Sequence, residues 1–214
     1  MRTIILGLLI LVCASIISAQ PKAAKIILKS TKTGKVTLSK GTLRSTIDLS
    51  RNVAGCAYVS GEVRRELDKK GCAASPAEFK LLDAQTKNKQ NFLLIEAAAM
   101  GNCNVCGQCG ASESSTLIWL KLDARLKVLD KKEVPIEDCR SGVSFVATAN
   151  KGEADESENS DLKFKNDILH VEFEKRNYDN SDNIFYEYSI LDYSRKTPEK
   201  GFIIKAEKRE NSVN

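Results

Sequence analysis

Ser115-Thr116-Leu117-Ile118-Trp119-Leu120-Lys121-Leu122-Asp123 decides the fold. Side chains of a strand alternate between its two faces. Leu117 and Trp119 point one way, while Ile118 and Leu120 point the other. A strand that is apolar on both faces is covered on both faces, so this one sits centrally in the molecule.

A central strand needs neighbours. Asn91-Phe92-Leu93-Leu94-Ile95-Glu96 reads as a second buried strand, continuing to Ala98. Phe79 to Gln85 pairs with it across the turn Lys87-Asn88-Lys89. A helix competes for that segment, because Ser75-Pro76-Ala77-Glu78 has the form of a capping box. The strand is preferred, since Asn91–Ala98 requires a partner. On the other side, Asp123-Ala124-Arg125 turns and Leu126 to Leu129 returns. Val143 to Ala147 adds a short strand.

Toward the N-terminus, Lys25–Ser30 and Lys35–Ser39 flank Thr31-Lys32-Thr33-Gly34 and read as a hairpin. Gly55–Val59 is a further strand candidate. Glu62–Lys70 is a two-turn helix candidate ended by Gly71. Toward the C-terminus, Asn166-Asp167 turns between Leu162–Phe164 and Ile168–Glu174. In the latter, Leu169, Val171 and Phe173 face one way, and His170, Glu172 and Glu174 the other. Ile184–Tyr193, the turn Thr197–Gly201 and Phe202–Glu207 close the chain. Strands at this spacing predict a mainly β fold. The expectation is an antiparallel β-sandwich or barrel-like sheet with one or two short helices, stabilised by disulfides.

Residues 1–19 have the pattern of a secretory signal peptide: Arg2, an apolar run from Ile4, and Ser18-Ala19 before Gln20-Pro21. The mature chain expected is 20–214, a single β-rich domain, secreted or periplasmic. It is not membrane-spanning once the signal is cut, because no second apolar run reaches membrane length. The acidic stretch 151–161 is the one clear punctuation, and a C-terminal subdomain 162–214 could begin after it. Residues 20–150 carry a net charge of +8 and residues 151–214 one of −4.

Cys13 leaves with the signal, and six cysteines remain: Cys56, Cys72, Cys103, Cys106, Cys109 and Cys139. An even count in an exported chain reads as a disulfide framework. A hairpin centred on Ala124 would set Cys109 across from Cys139. Cys56–Cys72 and Cys103–Cys106 would then close short loops. The competing reading is a thiol-redox or metal site on the Cys103-x-x-Cys106-x-x-Cys109 turn, with Cys139 or His170 as a fourth ligand. The Cys-Pro of a ferredoxin run is missing, and so is the βαβ setting of a thioredoxin-like pair. No metal is favoured and no cofactor is expected.

His170 is the single histidine, so any serine or cysteine triad would have to use it. It lies on a polar strand face beside Glu172, away from any nucleophile elbow, and reads as structural. No catalytic residue is assigned. Asp155–Asp161 and Asp179–Asn183 are oxygen-rich, but the first lacks the glycine and glutamate of an EF-hand, and both read as solvated loops. Lys22, Lys25, Lys29, Lys32, Lys35, Lys40 and Arg44 form a basic stretch able to meet an anionic surface or polymer. Lysines on a hairpin edge also guard against strand-to-strand aggregation. Few aromatics interleave with them, so no nucleic-acid partner is expected. The function expected is that of a binding or structural module.

Overall fold

A computed structural model describes residues 24–53, 76–100, 113–148, 162–178 and 184–209, with Glu62, Arg65 and Lys69 in helical conformation. The protein is mainly β, and its strands form three antiparallel sheets. The first joins β1 (Ile26–Ser30), β2 (Lys35–Lys40) and β3 (Leu43–Asp48). The second joins β4 (Glu78–Lys87), β5 (Gln90–Met100), β6 (Glu113–Leu122) and β7 (Val128–Glu137). The third joins β8 (Val143–Thr148), β9 (Ile168–Tyr178), β10 (Ile184–Ser194) and β11 (Phe202–Arg209). Each sheet is a meander in which sequence neighbours pair.

The second sheet is the middle layer. Phe92, Leu94, Leu117 and Trp119 pack with Leu169, Val171, Leu191, Tyr193 and Phe202 of the third sheet. The alternate residues Leu93, Ile95, Ile118 and Leu120 pack with Ile26, Val36 and Leu38 of the first. Phe92 through Ile95 and Leu117 through Leu120 are all buried. The layers therefore stack face to face as three sheets, where a sandwich has two. The expected twice-covered strand is β6, and β5 shares its environment.

Pairing turns out longer and shifted in places. The segment 79–85 is strand, and Glu78 opens β4 rather than a helix. Its turn to β5 holds Asn88 and Lys89 at φ 51° and 61°, the left-handed pair that suits strand twist. The strand β3 was not expected, because its alternation is weak and Leu43 is 41% exposed. Leu162–Phe164 lies outside the regular strands and leads only to the bridge Lys165↔Ile168. β8, before the acidic stretch, pairs with β9, after it; the stretch itself lies outside the described residues.

The β6–β7 hairpin does not centre on Ala124. Asp123 Oδ1 accepts the N–H groups of Arg125 and Lys127, each at 2.8 Å, and Leu126 sits at φ 65°. That widens the turn, and bulges shift the register further. Glu137 faces Ser115, and Cys109, the partner expected for Cys139, lies outside the described residues. The strand candidate 55–59 and most of the helix candidate 62–70 lie outside the described residues.

Gly201 follows the turn Pro198–Lys200 with φ 68°, and a Cβ there would stand 3.1 Å from Trp119 Cδ2. Gly41 has φ 59°, but a Cβ would meet only Ala24 at 3.8 Å. Gly201→Ala should therefore cost about 2–4 kcal/mol in urea unfolding, backbone strain plus overpacking, and Gly41→Ala about 1–2 kcal/mol from strain alone. Equal losses would contradict the close approach at Trp119.

Candidate functional site

The register of the third sheet sets His170, Asp192 and Ile203 in one row across β9, β10 and β11. All three lie on the face turned away from the middle sheet, since their neighbours Leu169, Leu191, Tyr193 and Phe202 are buried in the core. Over that row lies an open cleft of about 380 Å³. Ile168 and Ile203 line it and are 45% and 52% exposed. Lys165 and Lys200 stand on the two turns that flank it.

His170 is held at both ring nitrogens. Nδ1 lies 2.7 Å from Asp192 Oδ1, and Nε2 lies 3.1 Å from Glu172 Oε1. Tyr188 donates its hydroxyl proton to the other oxygen of Glu172. Ionised carboxylates only accept, so both contacts are satisfied together only by the imidazolium. Burial opposes that charge. The hydrogen bonds to Asp192 and Glu172 and their charges outweigh it, and the imidazole titrates above its ordinary 6.5. The half-buried ring is thus held between two carboxylates, which favours its charged form.

Both flanking turns are tied to the middle sheet. Trp119 Nε1–H, fully buried on β6, donates to the Pro198 carbonyl at 3.0 Å. Lys132 on β7 donates to the Lys200 carbonyl at 3.0 Å, and its ammonium lies 5.5 Å from the Trp119 ring centroid. Lys87 at the end of β4 meets Glu199 at 2.8 Å and holds that carboxyl below its ordinary range. On the other side, the Arg195 N–H donates to the Asp167 carbonyl at 2.9 Å. The Arg195 guanidinium stacks 3.7 Å over Phe164, and its Nε donates to Asp83 Oδ1 at 3.0 Å. Tyr193 donates its hydroxyl to the other oxygen of Asp83 at 2.8 Å. Burial pushes the Tyr193 phenol well above its ordinary value, helped by the charge of Asp83.

The basic stretch lies along the first sheet. Lys25, Lys29, Lys32, Lys35 and Arg44 are exposed and distributed along the first sheet and its turns. Lys40 is turned inward and donates to Asn91 Oδ1 at 2.6 Å and Thr86 Oγ1 at 2.9 Å. Lys22 lies outside the described residues, as do Cys56, Cys72, Cys103, Cys106 and Cys109, and the oxygen-rich stretches 155–161 and 179–183. Cys139 follows β7 and is not without a partner. Met100 and Glu113, which flank residues 101–112, pair at the same end of the middle sheet. Val53 and Ala77, flanking residues 54–75, pack with Ala99 there. Among the described residues no group of His, Cys, Asp and Glu is placed to hold a metal ion. Nor is any helix long and apolar enough to cross a membrane.

Asp192, Lys165, Lys200 and Ile203 escaped the sequence reading. Their one signal was the shared polar face of His170 and Glu172, which locates a face but not the strands beside it.

No family model matches the chain, and no curated protein matches it. Among solved structures, it resembles the WD40 domain of SCAP from fission yeast at 11% identity and a TM-score of 0.23. That match covers 85% of this chain and spans 39% of the yeast chain, and a likeness at this level carries no argument about function.

The imidazolium keeps its proton in the folded chain above pH 6.5 while the unfolded chain loses it. Its stabilisation should be complete below that pH and fade as pH rises through the folded value. In thermal melts, Tm of the wild type should fall over that window relative to His170→Gln; parallel profiles would contradict the clamp. Asp83→Ala should cost about 2–4 kcal/mol. That is below the full value for a buried pair, because the Arg195 side chain is 36% exposed. A loss under about 1 kcal/mol would show the tie to be dispensable.

Proposed function

We propose that this chain is an exported binding module, stabilised by disulfides, whose ligand seats in the cleft over His170. The observation that carries this reading is the double clamp on the imidazole. A general base needs a free nitrogen within reach of a proton, and here both nitrogens are engaged by carboxylates. Ser194, a hydroxyl lining the cleft, accepts from the Lys196 N–H at 3.2 Å and makes no bond to the ring. Such an arrangement fixes charge and shape, which is what a binding surface requires. Walls tied to a buried sheet also lower the ordering cost of binding.

Export rests on the leader-like residues 1–19, and the disulfides on the even cysteine count of the mature chain. The end of the middle sheet that carries Cys139 is also where both cysteine-bearing stretches enter and leave. That placement supports bridging, and it equally suits the second reading, a thiol-redox or metal-handling site at 103–109 with Cys139.

Intact mass after expression with the native leader separates the two. The expected product spans 20–214, gains about six mass units on reduction, two per bond, and holds no stoichiometric metal. A reduced chain with about one zinc ion bound would overturn the disulfide reading and favour the second.

A further inference from the structure

We infer that the cleft takes a small organic anion with an apolar body, of the kind exemplified by a medium-chain carboxylate. This rests on the reading of the cleft as the binding site.

Three features select that chemistry. Ile168 and Ile203 offer aliphatic surface to solvent on the floor of a concavity. A volume of about 380 Å³ falls in the range of small-molecule sites. Lys165 and Lys200 stand at opposite ends, both exposed, and neither ammonium forms an ion pair among the described residues. The one carboxylate lining the cleft, Asp192, shares the His170 imidazolium with Glu172. An incoming anion therefore meets two lysine ammoniums with no ion pair of their own among the described residues, and one carboxylate already bonded to a cation. A cationic amphiphile would be repelled at both ends, and a neutral one would gain only the contacts with the two isoleucines.

The clamp adds a pH dependence. The groups facing His170 are Glu172 on β9 and Asp192 and Tyr188 on β10, with Ile203 and Lys205 on the adjoining face of β11. Lys165 and Lys200 flank them. When the imidazolium loses its proton, the face beneath the ligand loses a positive charge beside Asp192 and Glu172. Affinity for an anion then falls, while affinity for a neutral amphiphile stays level.

The test uses three probes with one tail: decanoate, 1-decanol and decyltrimethylammonium, each below its aggregation threshold. Each is titrated into the full mature protein by calorimetry, with the methyl resonances of Ile168 and Ile203 observed by NMR. Decanoate is expected to bind about tenfold more tightly than decanol, and the cation most weakly. Lys165→Gln with Lys200→Gln should bring decanoate to the level of decanol, and both positions are exposed, so folding is spared. Raising the pH through the His170 titration should weaken decanoate several-fold and leave decanol unchanged. If both methyls shift but decanol or the cation binds as tightly as decanoate, the cleft stands as a binding site and the anion class is overturned. If no probe shifts either methyl, the cleft itself is overturned as the site.

Discussion

The structure depends on burial of both faces of β5 and β6. Eight consecutive-strand residues, Phe92–Ile95 and Leu117–Leu120, send alternate side chains into two separate cores. Each fully buried aliphatic or aromatic side chain contributes about 1.5–3 kcal/mol relative to exposure. A sheet this apolar on both sides cannot present either face to water. The outer sheets have the complementary problem, since each has one apolar face. Stacking three layers satisfies all of them, and it leaves the outer faces of the first and third sheets free for polar work.

That arrangement also explains why the cleft has fixed walls. The middle sheet is too apolar to bind anything itself, but its edges and its one tryptophan carry polar groups that reach across the interface. A buried indole N–H must find an acceptor, and the acceptor here is the Pro198 carbonyl. Lys87, Lys132 and Asp83 extend from the same sheet to the turns around Thr197–Gly201 and Arg195. The outer face of the third sheet thus gains rigid borders from a layer two side chains away, and His170 with its two carboxylates sits between them.

Much of this architecture was legible in the sequence. The two-faced apolar pattern of Leu117–Leu120 located the middle layer, and the alternation of Leu169, Val171 and Phe173 separated core from cleft face. Strong turn chemistry fixed the hairpin at Lys87-Asn88-Lys89 and the turn at Asn166-Asp167, which closes only a bridge between Lys165 and Ile168. The weaker elements were hidden for physical reasons. β3 is an edge strand with no buried residue, and its one half-buried aliphatic, Ile47, gives little hydrophobic alternation to read. β7 runs through Asp130-Lys131-Lys132-Glu133 and Pro135, residues that a central strand would exclude but an edge tolerates. The β6–β7 register departs from a hairpin centred on Ala124 because a five-residue turn and two bulges are invisible to a symmetric hairpin count. The cleft was illegible for a different reason. His170, Asp192 and Ile203 meet only through pairing across three strands, and Asp83 meets Arg195 across 112 positions.

Native-state hydrogen exchange tests the central dependence most directly. If the twice-buried middle layer holds the molecule together, the amides of Leu93–Ile95 and Leu117–Leu120 exchange only through global unfolding. Those of β1, β3 and β11 then open earlier, at lower free energy. Local opening of β5 or β6 while β9 and β10 stay protected would contradict the account.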